Sequence, residues 1–375
     1  MTLDIGVIVH GPGIIDSGCA LRIIDILSTM GNVSCRLGGT MGRTAVIDAS
    51  LEDVIDISRK LLPSQSIRLM AEDNDVLFLL NYGKNQVTGH TFGYKVYTNS
   101  NCNARLIQIE RPAEEDGVII AWSDEIDDEF LLEVSNRLRL PIISSDMAKR
   151  IACDESNIDD DNSVIKRKVA GVAPGENVMM NGVIIGRVTD ESLVITAKNN
   201  RIINMDGGVI KEHGLEKLGK VDLKKAIIKT GLLRKSDNVT PRIIKHEQSL
   251  KQTAVYLDHA AEDIYKYNKN SVIVSVGDDT TLLSSDILYR FEVPVIGITD
   301  GDLDKVVEKS FKMDDSLIIQ LESGWDDIIG RKIFDEIFDE NQIITIDSID
   351  SLKDEIISLI NQTDVEYHIV ENQLS

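Results

Sequence analysis

The chain opens with an apolar run, Asp4 to Val9, then the glycine-rich stretch HGPGIIDSG, then Cys19 to Met30, where Ala20, Ile23, Ile24 and Leu27 recur at helical spacing. The alternation continues. Val33 to Leu37, Val76 to Leu80, Leu106 to Ile109, Val118 to Ala121 and Pro141 to Ser144 read as short strands, and Leu51 to Leu62 and Glu129 to Leu138 as helices. Strands separated by helix-length segments predict a parallel, doubly wound sheet. Between Lys166 and Lys211 the grammar changes to β-branched runs divided by Pro-Gly, Asn-Gly and Asp-Gly-Gly turns. Such turns supply the positive φ angles of tight reversals, so hairpins are expected. Asp154 to Asn162, DESNIDDDN, reads as an acidic connector ahead of them. Helices are expected over Leu223 to Lys229 and over Gln248 to Tyr267, the latter with Val255, Ala260, Ile264 and Tyr267 as core positions. From Ser271 a second α/β unit follows, with later strands at Leu317 to Leu321 and Gln342 to Ile346 and helices at Trp325 to Phe338 and Leu352 to Asn361. The fold class is α/β: two Rossmann-like parallel-sheet units, residues 1–153 and 222–375, with a small β-rich module, 164–215, between them.

Composition narrows the partners. The 375 residues carry a net charge of −22, a field that repels nucleic-acid backbones, so no nucleic-acid partner is expected. No apolar run approaches the roughly 18 residues a membrane span needs, and MTLDIGVIVHGPG has no basic segment ahead of its apolar residues. No membrane partner and a cytoplasmic location are expected. The four cysteines, Cys19, Cys35, Cys102 and Cys153, form no C-x-x-C pair and read as thiols in a reducing compartment. A homo-oligomer is left open.

Three loops in the first half carry candidate chemistry. Gly11 and Gly13 lie between a strand and a helix, where backbone N–H groups attract anions. The loop departs from the dinucleotide fingerprint because Asp16 stands at its third glycine position, which disfavours a pyrophosphate there. Gly38, Gly39 and Gly42, with Arg43, form the densest glycine cluster, able to wrap a phosphate with amides and a forked guanidinium. Lys84 follows the third strand and offers a point charge to a phosphate. His90 shares that edge and reads as an exposed or capping residue. Each loop can equally be a turn whose polar residues cap helices.

The stretch VIVSVGDDTTLLSSDILYRFEVPVIGITDGDLD, Val272 to Asp304, reads as strand, sharp turn, helix, strand and acidic turn. Its Gly277-Asp278-Asp279-Thr280, followed by Pro294-Val295-Ile296-Gly297-Ile298, resembles the signature shared by NAD kinases, diacylglycerol kinases and phosphofructokinases. Val276 and Asp279 replace two of that signature's glycines. The resemblance implies that Gly277 and Thr280 approach phosphate and that Asp278 acts on the acceptor hydroxyl. Asp300 and Asp302 are spaced as a D-x-D pair that can hold Mg²⁺ through oxygen ligands. As a whole, HGPGIIDSG, LGGTMGRTAVID, NYGK with TFG, and VGDDTTLL with PVIGITDGDLD resemble a family of uncharacterised proteins from methanogenic archaea.

The expectation from these residues is a Mg²⁺-dependent enzyme that binds a nucleotide or other small phosphorylated ligand and transfers a phosphoryl group, with Asp278 catalytic and Asp300 and Asp302 on the metal. The alternative is a non-catalytic metabolite-binding or assembly protein.

Overall fold

The computed structural model describes residues 2–40, 42–153, 158–161, 164–169, 171–181, 183–226, 228–230, 234, 240–245, 251–258, 264–301 and 313–370. The fold is mixed α/β, with parallel and antiparallel sheets. Its contacts divide the chain into two units, Met1–Val239 and Thr240–Ser375.

In the first unit, β1 (Leu3–His10), β2 (Gly31–Gly38), β3 (Val76–Asn81), β4 (Leu106–Glu110), β5 (Val118–Ala121) and β6 (Ile142–Ser144) form a sheet ordered β2-β1-β3-β4-β5-β6. The helices are α1 (Gly13–Asp16), α2 (Cys19–Ser28), α3 (Arg43–Asp48), α4 (Pro63–Met70), α5 (Gln86–Ser100), α6 (Asp128–Leu138) and α7 (Ser145–Cys153). They cover both faces. Val7 and Val9 share a core with Ile23, Leu27 and Val134, while Ile8, one step out of phase, packs with Ile67 and Val96. Two expectations are corrected here. β5 runs antiparallel to β4, because residues 111–117 are too few for the crossover a parallel pair requires. The helix expected over 51–62 is instead α4, which starts at Pro63. Upstream, Asp56 accepts from the Ser58 N–H at 2.8 Å and holds the chain in a turn.

The same unit contains β7 (Ile158–Asp161), β8 (Val164–Val169), β9 (Asn177–Met180), β10 (Val183–Val188), β11 (Leu193–Lys198), β12 (Arg201–Asp206), β13 (Gly208–Ile210), α8 (Glu212–Leu218) and β14 (Ile228–Thr230). They form two antiparallel sheets, β13-β10-β9-β14 and β12-β11-β8-β7. Val178 and Ile185 of one sheet share a core with Ile195 and Met205 of the other, so the expected hairpins build a small two-sheet module. Part of the acidic connector is itself strand β7, and the helix expected over 223–229 gives way to β14, paired with β9.

In the second unit, β15 (Gln252–Asp258), β16 (Val272–Val276), β17 (Val295–Thr299) and β18 (Leu317–Leu321) are parallel. The strands β19 (Ile343–Ile346) and β20 (Tyr367–Ile369) add antiparallel edges. Its helices are α9 (Asp278–Leu288), α10 (Asp326–Glu336) and α11 (Ile349–Asn361). Of the helix expected over 248–267, residues 252–258 are instead β15, and Ile264–Tyr267 forms one turn of 3-10 helix. Thr253 to Leu257 is a β-branched and aromatic run lying between β16 and β19, where such side chains pack on both faces. Ala260 lies outside the described residues.

Candidate functional site at the carboxyl edge of the first sheet

The connection after β1 leads to β2 on one side, and the connection after β3 leads to β4 on the other. The carboxyl ends of β1 and β3 therefore flank the point where the winding direction reverses, the usual place for a ligand crevice in an open α/β sheet. Register aligns the last residues of four strands in one row: Gly38 beside His10, His10 beside Asn81, Asn81 beside Glu110.

That row is chemically continuous. His10 Nδ1 lies 2.7 Å from Asn81 Oδ1, and Asn81 Nδ2 donates to Glu110 Oε2 at 2.8 Å. The same carboxylate oxygen accepts from Gln108 Nε2 at 2.6 Å, while Glu110 Oε1 accepts from the Gly83 N–H at 2.6 Å. Gln108 Nε2 also donates to the Gly89 carbonyl at 3.0 Å, and its Oε1 accepts from Trp122 Nε1 at 2.8 Å. Gln108 and Glu110 are fully buried, Trp122 and Asn81 nearly so, and His10 is half-exposed at the open end with its ring stacked on Phe92 at 3.9 Å. Burial pushes the Glu110 carboxyl above the usual range, and the donors from Asn81, Gly83 and Gln108 oppose that rise without cancelling it.

Helix α5 explains how so polar a cluster fits between a helix and a sheet. A Cβ at Gly89 would stand 2.2 Å from Glu110 Cδ, and one at Gly93 would stand 1.6 Å from Gln108 Oε1. Two glycines four residues apart thus open a groove on the helix for the two polar side chains of β4.

The first two glycine loops meet at this edge. A Cβ at Gly42 would lie 3.1 Å from the Gly11 carbonyl oxygen, and one at Gly39 would lie 3.8 Å from His10 Cδ2. Gly39 has a φ of 90°, a left-handed conformation that side chains rarely adopt. Gly13 backs onto Tyr82, Gly38 packs on Ile8, and Arg43 opens α3. The nearby cations are engaged. Lys84 Nζ is 2.7 Å from Glu176 Oε2 and donates to Thr230 Oγ1 at 2.8 Å, which ties this loop to the β module. Arg111 donates to the carbonyl oxygens of Gly83 and Lys84 and pairs with Asp116 at 2.9 Å. Asp16 is neutralised by Arg234, whose guanidinium also reaches Asp48 at 2.6 Å. The negative charge that disfavours an anion beside Gly13 thus carries its own counter-charge.

His90 is not the exposed or capping residue its sequence context predicts. It is fully buried on α5, and neither ring nitrogen has a hydrogen-bond partner among the described residues. Burial holds its pKa below the usual histidine range, so the folded state resists protonation. The unfolded chain then binds more protons below about pH 6.5, and stability falls as pH drops through that value. Thermal melts of His90→Phe are expected to lack this acid-side loss. An unchanged slope would assign it to other groups.

In the second unit, Gly277 caps α9 with a φ of 90°, and Asp278 and Thr280 are buried in the first turn of that helix. Asp300 Oδ2 accepts from the Gly324 N–H at 2.9 Å. Asp302 lies outside the described residues. Among the described residues no three carboxylate, histidine or cysteine side chains converge to hold a metal ion, so Asp278, Asp279 and Asp300 do not form a protein-only ligand set.

His10 and Asn81 open the stretches HGPGIIDSG and NYGK, which the sequence singles out for their glycines and Lys84 rather than for these two residues, and Gln108 and Glu110 belong to no motif at all. A groove of about 460 Å³ at the opposite, amino edge is lined by Asp75, Asp124, Glu125 and Asp127 beside Arg105, an acidic setting that repels anions.

Fold and edge together define a mixed α/β protein with a row of hydrogen-bonded polar side chains at the carboxyl end of its first parallel strands. The chain belongs to the family DUF2117, described as an uncharacterized protein conserved in archaea, whose model matches residues 7–341. It is 43% identical over 335 residues to an uncharacterized protein of Methanocaldococcus jannaschii, covering 88% of this chain and 90% of that protein. No solved structure matches. These comparisons lend no support to the kinase resemblance of residues 272–304. No described helix is long and apolar enough to cross a membrane.

Proposed function

We propose that the carboxyl edge of the first sheet binds a small phosphorylated metabolite and that His10 exchanges a proton with it. The observation that carries this reading is the run of hydrogen bonds from buried Trp122 through Gln108, Glu110 and Asn81 to half-exposed His10. Burying that much polar surface is costly unless each group is hydrogen-bonded, as these are, and a network so satisfied fixes the orientation of the side chain at its open end. Gly11, which directly follows His10 and has open space around its Cα, supports an anionic ligand held by backbone N–H groups rather than by the engaged lysine and arginines. The Gly39 N–H is itself engaged by the Leu61 carbonyl at 2.8 Å. Helices on both faces of the first sheet support reading that unit as Rossmann-like, and the parallel strands β15 to β18 support the same reading of the second unit. Free Cys19, Cys35 and Cys102 support a cytoplasmic protein.

The test is a thermal-shift screen of nucleotides and sugar phosphates. A ligand at about a hundred times its Kd adds about 2.7 kcal/mol of stability. His10→Asn is expected to lose most of the shift. A ligand that stabilises both proteins equally would remove His10 from the site.

A second reading retains the second unit's acidic edge, with Asp278 and Asp300 contacting a Mg²⁺ that arrives with the ligand's phosphates. Mg²⁺ commonly takes only one or two carboxylates from a protein. The cap at Gly277, which starts α9 directly over buried Asp278, favours it. Phosphoryl transfer belongs to this reading, and Asp278→Asn is expected to abolish any Mg²⁺-dependent part of the shift.

A further inference from the structure

We infer that Glu110, acting through Asn81, dictates which ring nitrogen of His10 carries the proton, leaving the lone pair on Nε2. Donor and acceptor roles along the buried chain leave little choice. An indole N–H can only donate, so Trp122 requires Gln108 to present Oε1 to it at 2.8 Å. The Gln108 amide nitrogen then faces both the Gly89 carbonyl, an acceptor, and Glu110, which agrees with the two contacts made there. Every neighbour donating to the Glu110 carboxylate is an N–H: Gly83, Gln108 and Asn81. An ionised carboxylate only accepts, so Asn81 turns its amide nitrogen toward Glu110 and its carbonyl oxygen toward His10. That oxygen, 2.7 Å from Nδ1, needs a proton from the ring. A neutral imidazole with its proton on Nδ1 has Nε2 as the basic nitrogen.

Glu110, Asn81, Gln108 and Trp122 are thus positioning residues. Their hydrogen-bond directions are fixed by groups that cannot reverse, a backbone carbonyl at Gly89 and an indole at Trp122. The stack of Phe92 on the imidazole, with planes 17° apart, holds the ring plane in line with Asn81. The reading of His10 as a proton-transfer group gives this arrangement its meaning, but the tautomer exists without any ligand and is measured without one.

The experiment is long-range ¹H–¹⁵N correlation NMR of the full chain labelled in its histidines, at about pH 9, where the imidazole is neutral. His10 is assigned by the loss of its signals in His10→Asn. The wild type is expected to show His10 with the proton on Nδ1, and Asn81→Leu, which removes the only acceptor proposed for that proton, is expected to move it to Nε2. A wild-type ring protonated on Nε2 overturns the inference, as does an Asn81→Leu protein that keeps the Nδ1 proton. If Asn81→Leu fails to fold, the wild-type spectrum still decides. An Nδ1 proton combined with no ligand response in the thermal screen would sink the proposed function and leave this inference standing.

Discussion

Gly93→Ala should destabilise the first unit by about 3 kcal/mol or more, against the usual gain of about 1 kcal/mol when a helical glycine becomes alanine. The sign reverses because the new methyl would stand 1.6 Å from Gln108 Oε1. That oxygen cannot retreat without leaving the Trp122 indole N–H unpaired in the core. Overpacking and a broken buried hydrogen bond then add in the same direction. Urea unfolding of the variant measures the loss, and a Gly93→Ala protein as stable as wild type would show that α5 does not pack on Gln108 as described.

Glu110→Ala is the second large effect, about 3 kcal/mol near pH 4.5, since it strands N–H donors from Gly83, Gln108 and Asn81 in the interior. Its pH dependence has a defined sign. The folded-state pKa of Glu110 is raised, so the native protein holds this proton more tightly than the unfolded chain does. Wild-type stability therefore declines as pH rises from the ordinary glutamate value toward the raised one, while the variant lacks that decline. The gap between the two proteins is expected to be widest at the acid end and to narrow toward alkaline pH. A gap that widens instead would mean that the carboxylate is favoured by its surroundings more than it is penalised by burial.

Much of the scaffold is legible in the sequence, and the chemistry is much less so. The β1, β2 and β3 strands announce themselves as apolar runs ending in glycine-rich turns, and the hairpins of the β module follow from their turn residues. The direction of β5 was also available, since residues 111–117 leave no room for a crossover. Thr253 to Leu257 misleads because apolar residues at Val255, Ile264 and Tyr267 satisfy a helical period, although the first belongs to a strand buried between two others.

The candidate site is hidden for a different reason. His10, Asn81 and Glu110 come from three strands far apart in the chain, and only register makes them neighbours. In LIQIE, Gln108 and Glu110 look like the solvent face of an alternating strand, yet β4 is covered on both faces and the pair points into a helix. The one local signal was the pair Gly89 and Gly93, glycines four residues apart in a stretch read as loop that is in fact helix α5, where they mark a close approach to something beneath.

The most direct test of the central claim, that the carboxyl edge of the first sheet is where this protein binds its ligand, is the ¹³C–¹H correlation spectrum of the histidine rings. It is recorded as each compound that raises the melting temperature is added. Binding at this edge predicts that the His10 ring resonance shifts on titration, with a midpoint matching the thermal response, while His213 and His368 on the exposed surface stay in place. A compound that stabilises the protein and leaves the His10 resonance unmoved would contradict the account.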